Sequence, residues 1–90
     1  MTTEVHRRAD DYEITVDGRH AGLAAFYEQP GAVVFTHTEI DDAFEGKGVG
    51  SELARAALDD VRTRGLHVVP LCPFIKGWIE RHPDYQDLVR

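Results

Sequence analysis

Ninety residues with 42% apolar side chains can build one core and leave no room for a second domain. Ten Lys and Arg against 16 Asp and Glu give a formal net charge of -6, the wrong sign for holding nucleic acid or an anionic membrane surface. A single cysteine excludes an internal disulfide and any cysteine-cluster metal site. His6, His20, His37, His67 and His82 include no pair at ligand spacing, so no metal is expected.

Residues 1–10 carry charges but no apolar signal core, and no segment approaches the ~20 apolar residues of a membrane span. The expectation is a soluble, cytoplasmic protein, a monomer or weak dimer. Tyr12, Ile14 and Val16 alternate with Glu13 and Thr15, the period of a half-buried strand. Asp17-Gly18 suits a tight hairpin turn, so a second strand is predicted from about Arg19 to Glu28. Pro30-Gly31 has the chemistry of a type II turn, and Ala32 to Ile40 forms a third strand. These three make an antiparallel meander.

After a short acidic connection comes EGKGVG, residues 45–50, and then Leu53, Ala54, Ala57, Leu58 and Val61 recur at helical spacing. Glu52 in the first turn and Arg62 and Arg64 in the last suit the helix dipole, and Gly65 is a natural stop. Leu66 to Leu71 is a short apolar run read as a strand, reached by a helical crossover that makes it parallel to the third. Pro73 opens a second helix whose apolar face is Phe74, Ile75, Trp78 and Ile79, and His82-Pro83 ends it. A last turn from Asp84 to Val89 follows. The fold class is therefore α/β: a mixed sheet in one domain over residues 1–90, an antiparallel meander, a β-α-β crossover and a C-terminal helix.

Gly46, Gly48 and Gly50 stand between a strand and a helix. Glycines there let successive N–H groups point into a concave loop, and the helix N-terminus adds partial positive charge, so phosphate oxygens are favoured. Lys47 adds a full charge. The spacing is neither a Walker loop nor the dinucleotide fingerprint. The same glycines also suit a simpler role, turning the chain tightly and letting the helix pack close.

The stretch EGKGVGSELARAALDDVRTRG resembles the phosphate loop and helix of the GNAT superfamily of N-acetyltransferases, whose signature is Gln/Arg-x-x-Gly-x-Gly/Ala. Gly48 and Gly50 match its glycines, and Glu45 departs from its first position, bringing a like charge near a pyrophosphate. HTEI before the loop and VVPLCPFIKGWIERHPDYQDLV after it are similar to the small single-domain members, so the resemblance spans roughly Tyr12 to Val89. It implies acetyl-coenzyme A clasped between splayed third and fourth predicted strands. Pantetheine would run along the third strand's end at Thr38 and Ile40. Pyrophosphate would lie in the loop of Glu45, Gly46, Lys47, Gly48, Val49, Gly50 and Ser51, with Pro73 and Phe74 beside the thioester.

Acetyl transfer to an amine needs an uncharged amine, a polarised carbonyl and a proton for the leaving thiolate. Strand alternation places Glu39 on the face of Val33, Phe35 and His37, where partial burial would raise its pKa toward that of a base; a solvated strand-end charge is the alternative. Cys72, just ahead of Pro73, sits where a helix N-terminus favours thiolate, as nucleophile, proton donor or pocket wall; it equally suits a buried small hydrophobe. His37 could relay a proton, and His82 and Tyr85 could line the site, though packing suits all three.

The resemblance implies an acetyl-coenzyme A-dependent N-acetyltransferase acting on an amine, a protein N-terminus, a lysine or a small basic amine. Direct transfer is expected, without a covalent cysteine intermediate. The alternative is a non-catalytic module that binds coenzyme A or its acyl forms. Too few residues precede Tyr12 for the N-terminal helices of larger relatives, so an open acceptor groove is expected, and the acidic balance favours a cationic acceptor.

Overall fold

The alternation at Tyr12–Val16 forms a strand whose Tyr12, Ile14 and Val16 are buried while the residues between them are only partly covered. A computed structural model describes all residues, 1–90. In chain order it contains strands β1 (Thr3–Arg7), β2 (Asp11–Val16), β3 (Arg19–Gln29) and β4 (Ala32–Ile40), helix α1 (Val49–Thr63), strand β5 (His67–Pro70) and helix α2 (Pro73–Glu80). Short 3-10 turns occupy Asp42–Phe44 and Pro83–Leu88. The five strands lie in sequence order; the first four pair antiparallel and β5 runs parallel to β4.

The turns follow their residues. Asp17 and Gly18 both have positive φ, 50° and 81°, as a type I′ hairpin requires, and Gly31 takes φ 77° after Pro30. Gly65 has φ 72°, and the bonds from Leu66 N–H to the Val61 carbonyl and from Gly65 N–H to the Arg62 carbonyl complete a Schellman stop for α1.

Two features depart from the sequence reading. Residues 1–10 were assigned no element, yet Thr3–Arg7 forms an edge strand in register with β2, from Thr3 opposite Val16 to Arg7 opposite Tyr12. Its one apolar residue inward, Val5, packs on the core, too little to produce a periodic signal. The other departure is a bulge. Ala25 pairs with His37 and Phe26 with Phe35, so Thr36 is left over on β4 and the strand's alternation reverses there.

One cluster of 22 buried residues joins α1, α2 and the C-terminal turn to one face of the sheet. Both helices therefore lie on that side. The opposite face carries Leu23, Ala25, Tyr27 and Val34, of which Val34 is buried and Tyr27 is 49% exposed.

Tyr12 ties β2 to α1. Its ring is in the core against Phe26 and Phe35, and its hydroxyl donates to Asp60 Oδ2 at 2.5 Å, an oxygen that also accepts from Arg7 at 2.9 Å. Burial first, and the bond to the Asp60 carboxylate second, push the Tyr12 hydroxyl up to about 12. The folded state thus prefers the protonated phenol. The stability this contributes is complete below roughly pH 10, the unfolded value, and is lost as the pH rises toward 12. Alkaline titration followed by tyrosinate absorbance should show one of the three tyrosines ionising near pH 12, and Tyr12→Phe should remove that step and cost about 1 to 2 kcal/mol in chemical denaturation. Ionisation of all three near pH 10 in folded protein would contradict this placement.

Candidate functional site

The sheet opens between β4 and β5. Their paired residues run from Ala32 and His67 to Phe35 and Pro70; beyond them the Leu71 N–H, next in register to reach β4, turns back to the Val69 carbonyl at 3.2 Å. The Cys72 N–H makes one more bond, to the Phe35 carbonyl at 2.9 Å, while β4 continues alone to Ile40. A cleft of about 500 Å³ lies at this fork. Thr38 and Ile40 form its β4 wall, the glycine loop and the first turn of α1 close one end, and Phe74, Trp78, Arg81 and His82 of α2 and its C-terminal end form the other wall.

The loop's backbone is the site's main source of donors. Gly46 and Gly48 take φ 78° and 77°, the left-handed region, and Gly48 is the N-cap of α1 without a side-chain cap. None of the N–H groups from Gly46 to Ser51 finds an acceptor within the protein; the first that does is Glu52, bonded to the Gly48 carbonyl. Gly50 serves closeness, since a Cβ there would stand 2.9 Å from Phe74 Cζ. The loop thus combines unpartnered N–H groups with a close helix packing. Glu45, Val49 and Ser51 also line the cleft, whereas Lys47 is exposed outside it.

Trp78 braces the floor. Its Nε1 donates to Ser51 Oγ at 2.8 Å, which locks α2 to the first turn of α1. The His82 ring stacks on the indole at 3.7 Å, and its Nδ1 lies 2.6 Å from the Trp78 carbonyl; a carbonyl only accepts, so Nδ1 carries the hydrogen. The sequence reading gave no site role to Phe44, Trp78 or Arg81. Phe44 and Trp78 are apolar and buried, which makes them look like core, and nothing in the local sequence sets Arg81 apart.

Cys72 is 2% exposed, and its Sγ lies 3.2 Å from Thr38 Oγ1, where either group can donate. It is the N-cap of α2, directly before Pro73, which stands at the first helical position and outside the cleft lining. Phe74 does not join Ile75, Trp78 and Ile79 in the core: it is 37% exposed and faces the cleft.

The face predicted for Glu39 needs correction. The bulge at Thr36 puts Thr38 and Ile40 on the core side and turns His37 and Glu39 to the opposite face, away from that of Val33 and Phe35. There the Glu39 side chain is 65% exposed and pairs with His37 Nε2 at 3.4 Å. The partial burial on which its reading as a base relied is absent. Tyr85 is also elsewhere. Its hydroxyl donates to Asp59 at 2.7 Å and accepts from Arg55 at 3.2 Å, and burial followed by the Asp59 bond raises its pKa.

Residues 11–88 match a family described as GCN5-related N-acetyl-transferase. The chain belongs to that family. It is 34% identical over 92 residues to the protein NATD1 of Bos taurus, across 100% of this chain and 81% of that one, with the same identity to the Homo sapiens protein. In structure it is similar to a GCN5-like protein from Staphylococcus aureus solved by NMR, with a TM-score of 0.74 and 22% identity over 97% of this chain and 87% of that one. A ribosomal-protein-alanine N-acetyltransferase from Brucella melitensis has a TM-score of 0.63 and 22% identity, covering 93% of this chain and 64% of its own. These two share the fold. No helix is long and apolar enough to cross a membrane.

Gly50→Ala should disturb the cleft more than the fold. The flexible edge of the Phe74 ring can give way, so the midpoint of denaturation should change little while the ring moves into the cleft. Phe74 resonances should shift in an aromatic NMR spectrum with the helical circular dichroism retained; a collapse of the fold would mean that the contact is rigid.

Proposed function

We propose that the chain is an acetyl-coenzyme A-dependent N-acetyltransferase that acts on an amine at the open sheet face: a protein N-terminus, a lysine or a small basic amine. The observation that carries this is the run of unpartnered N–H groups from Gly46 to Ser51 at the end of a cleft whose walls include the apolar side chains of Ile40, Phe44, Val49, Phe74 and Trp78. Six successive donors at a helix N-terminus suit phosphate oxygens, and a cleft that mixes apolar walls with polar groups suits a pantetheine arm. Acetyl-coenzyme A would supply an activated acetyl thioester.

In this reading Gly46, Gly48, Val49, Gly50 and Ser51 hold the phosphates, with Glu45 and Lys47 flanking them. Thr38, Ile40 and Phe74 guide the arm, and Pro73 sets the start of α2 beside it. The amine nitrogen forms a bond to the acetyl carbon as the carbon–sulfur bond breaks. The amine's proton passes through water to Glu39, held by His37. Cys72 donates a proton to the leaving sulfur and regains one from water once the products have left, while Thr38 Oγ1, 3.2 Å from Sγ, donates a hydrogen bond to the thiolate in the interval. Cys72 is a proton donor here, and transfer to the amine is direct.

The acceptor class rests on the uncovered sheet face and on charge. With both helices on the other side, an extended or protruding segment can reach Glu39, and a net charge of -6 favours a cationic one. A second reading is a module that binds coenzyme A without turnover. Its support is Glu45 in the cleft and the exposure of Glu39, neither of which assists rapid catalysis.

Calorimetric titration with acetyl-coenzyme A should give saturable binding that Gly48→Asp abolishes, because a carboxylate then occupies the cradle. Absence of binding at millimolar ligand would remove both readings. Thiol release with peptide and polyamine acceptors separates them: Cys72→Ala or Glu39→Gln should slow it by on the order of 10-fold or more. Tight binding with no thiol release for any acceptor would favour the binding module.

A further inference from the structure

The cleft presents a charge problem. Its donors favour an anion, yet Glu45 lines the same end, and an anionic group seated there meets a carboxylate. The backbone dipoles alone face that repulsion unless a cation shares the site.

Arg81 is the one arginine without a partner. Arg7, Arg8, Arg62 and Arg64 are in ion pairs, Arg55 bonds Tyr85, Arg90 bonds the Pro30 carbonyl and Arg19 lies over the Phe44 ring. Arg81 makes no side-chain hydrogen bond or ion pair, and it lines the cleft. Lys47, the other free cation nearby, is outside the lining.

Helix α2 makes room for this guanidinium. Gly77 lies inside the helix, where glycine is a poor helix former, and a Cβ there would come within 3.2 Å of Arg81 Nη1. The bare backbone at Gly77 therefore lets the arginine lie close along the helix, one turn back from its own Cα. Its backbone N–H caps α2 through the Gly77 and Trp78 carbonyls, so the side chain itself has no structural duty.

We propose that Arg81 is the phosphate-binding cation of this cleft, clamping the pyrophosphate of coenzyme A against the glycine loop and offsetting Glu45. This rests on the coenzyme A reading above and assigns the residue that specifies charge within it. A planar guanidinium with several fixed donors suits a doubly bonded phosphate contact better than Lys47 on its exposed stem.

The test uses titration calorimetry of the full chain with coenzyme A and with dephospho-coenzyme A, which keeps the pyrophosphate and lacks the ribose phosphate. Arg81→Gln should fold normally by circular dichroism and weaken both ligands equally, by about 10- to 100-fold. Removing the carboxylate as well, in Arg81→Gln with Glu45→Gln, should recover part of that loss. Unchanged affinity in Arg81→Gln overturns the assignment and leaves the coenzyme A reading standing. A loss confined to coenzyme A overturns the pyrophosphate contact in favour of the ribose phosphate. No binding by the unsubstituted protein overturns the coenzyme A reading itself.

Discussion

The ladder between β4 and β5 stops at Phe35 and Pro70, and the cleft exists because it stops there. The Leu71 N–H, which the register would aim at β4, bonds back to the Val69 carbonyl instead, so the two chains part while β4 still has residues through Ile40 to expose. The last link, Cys72 N–H to the Phe35 carbonyl, then starts α2 at the fork itself. Thr38, Cys72 and the wall of α2 converge for that reason. Had the pairing continued, β5 would cover the end of β4.

The bulge at Thr36 does a second job at the same point. By adding one residue to β4 it exchanges the faces of everything beyond, so Thr38 and Ile40 look into the cleft and His37 and Glu39 look outward. The Trp78 bridge to Ser51 then fixes α2 against the loop, so the donors and the apolar wall keep one spacing.

Much of this was legible in the chain. Tyr12, Ile14 and Val16, the turns at Asp17-Gly18 and Pro30-Gly31, and the helical spacing from Leu53 to Val61 each obey a local period or a dihedral demand that residue types reveal. The bulge obeys neither. Thr36 is an ordinary strand residue, and only its missing partner across β3 marks it, so the face of Glu39 was misread. β1 escaped for a related reason: an edge strand held by backbone bonds needs little apolar side chain. Helical spacing put Phe74 on the apolar face of α2 while the resemblance put it at the site, and nothing local marked Arg81; the cleft positions of both depend on Gly50 and Gly77, two residues that leave space rather than fill it.

The uncapped start of α1 also has a thermodynamic side. A molecule that bonds those amide groups binds only the folded chain, because the unfolded chain has no cradle. Mass action then stabilises the fold, by about 2.7 kcal/mol when the free ligand stands at 100 times its dissociation constant. Domains of this size are held by roughly 5 to 15 kcal/mol in all. A ligand taken by this loop would therefore couple the persistence of the protein to its supply, and starvation for it would leave a larger unfolded fraction without altering any residue.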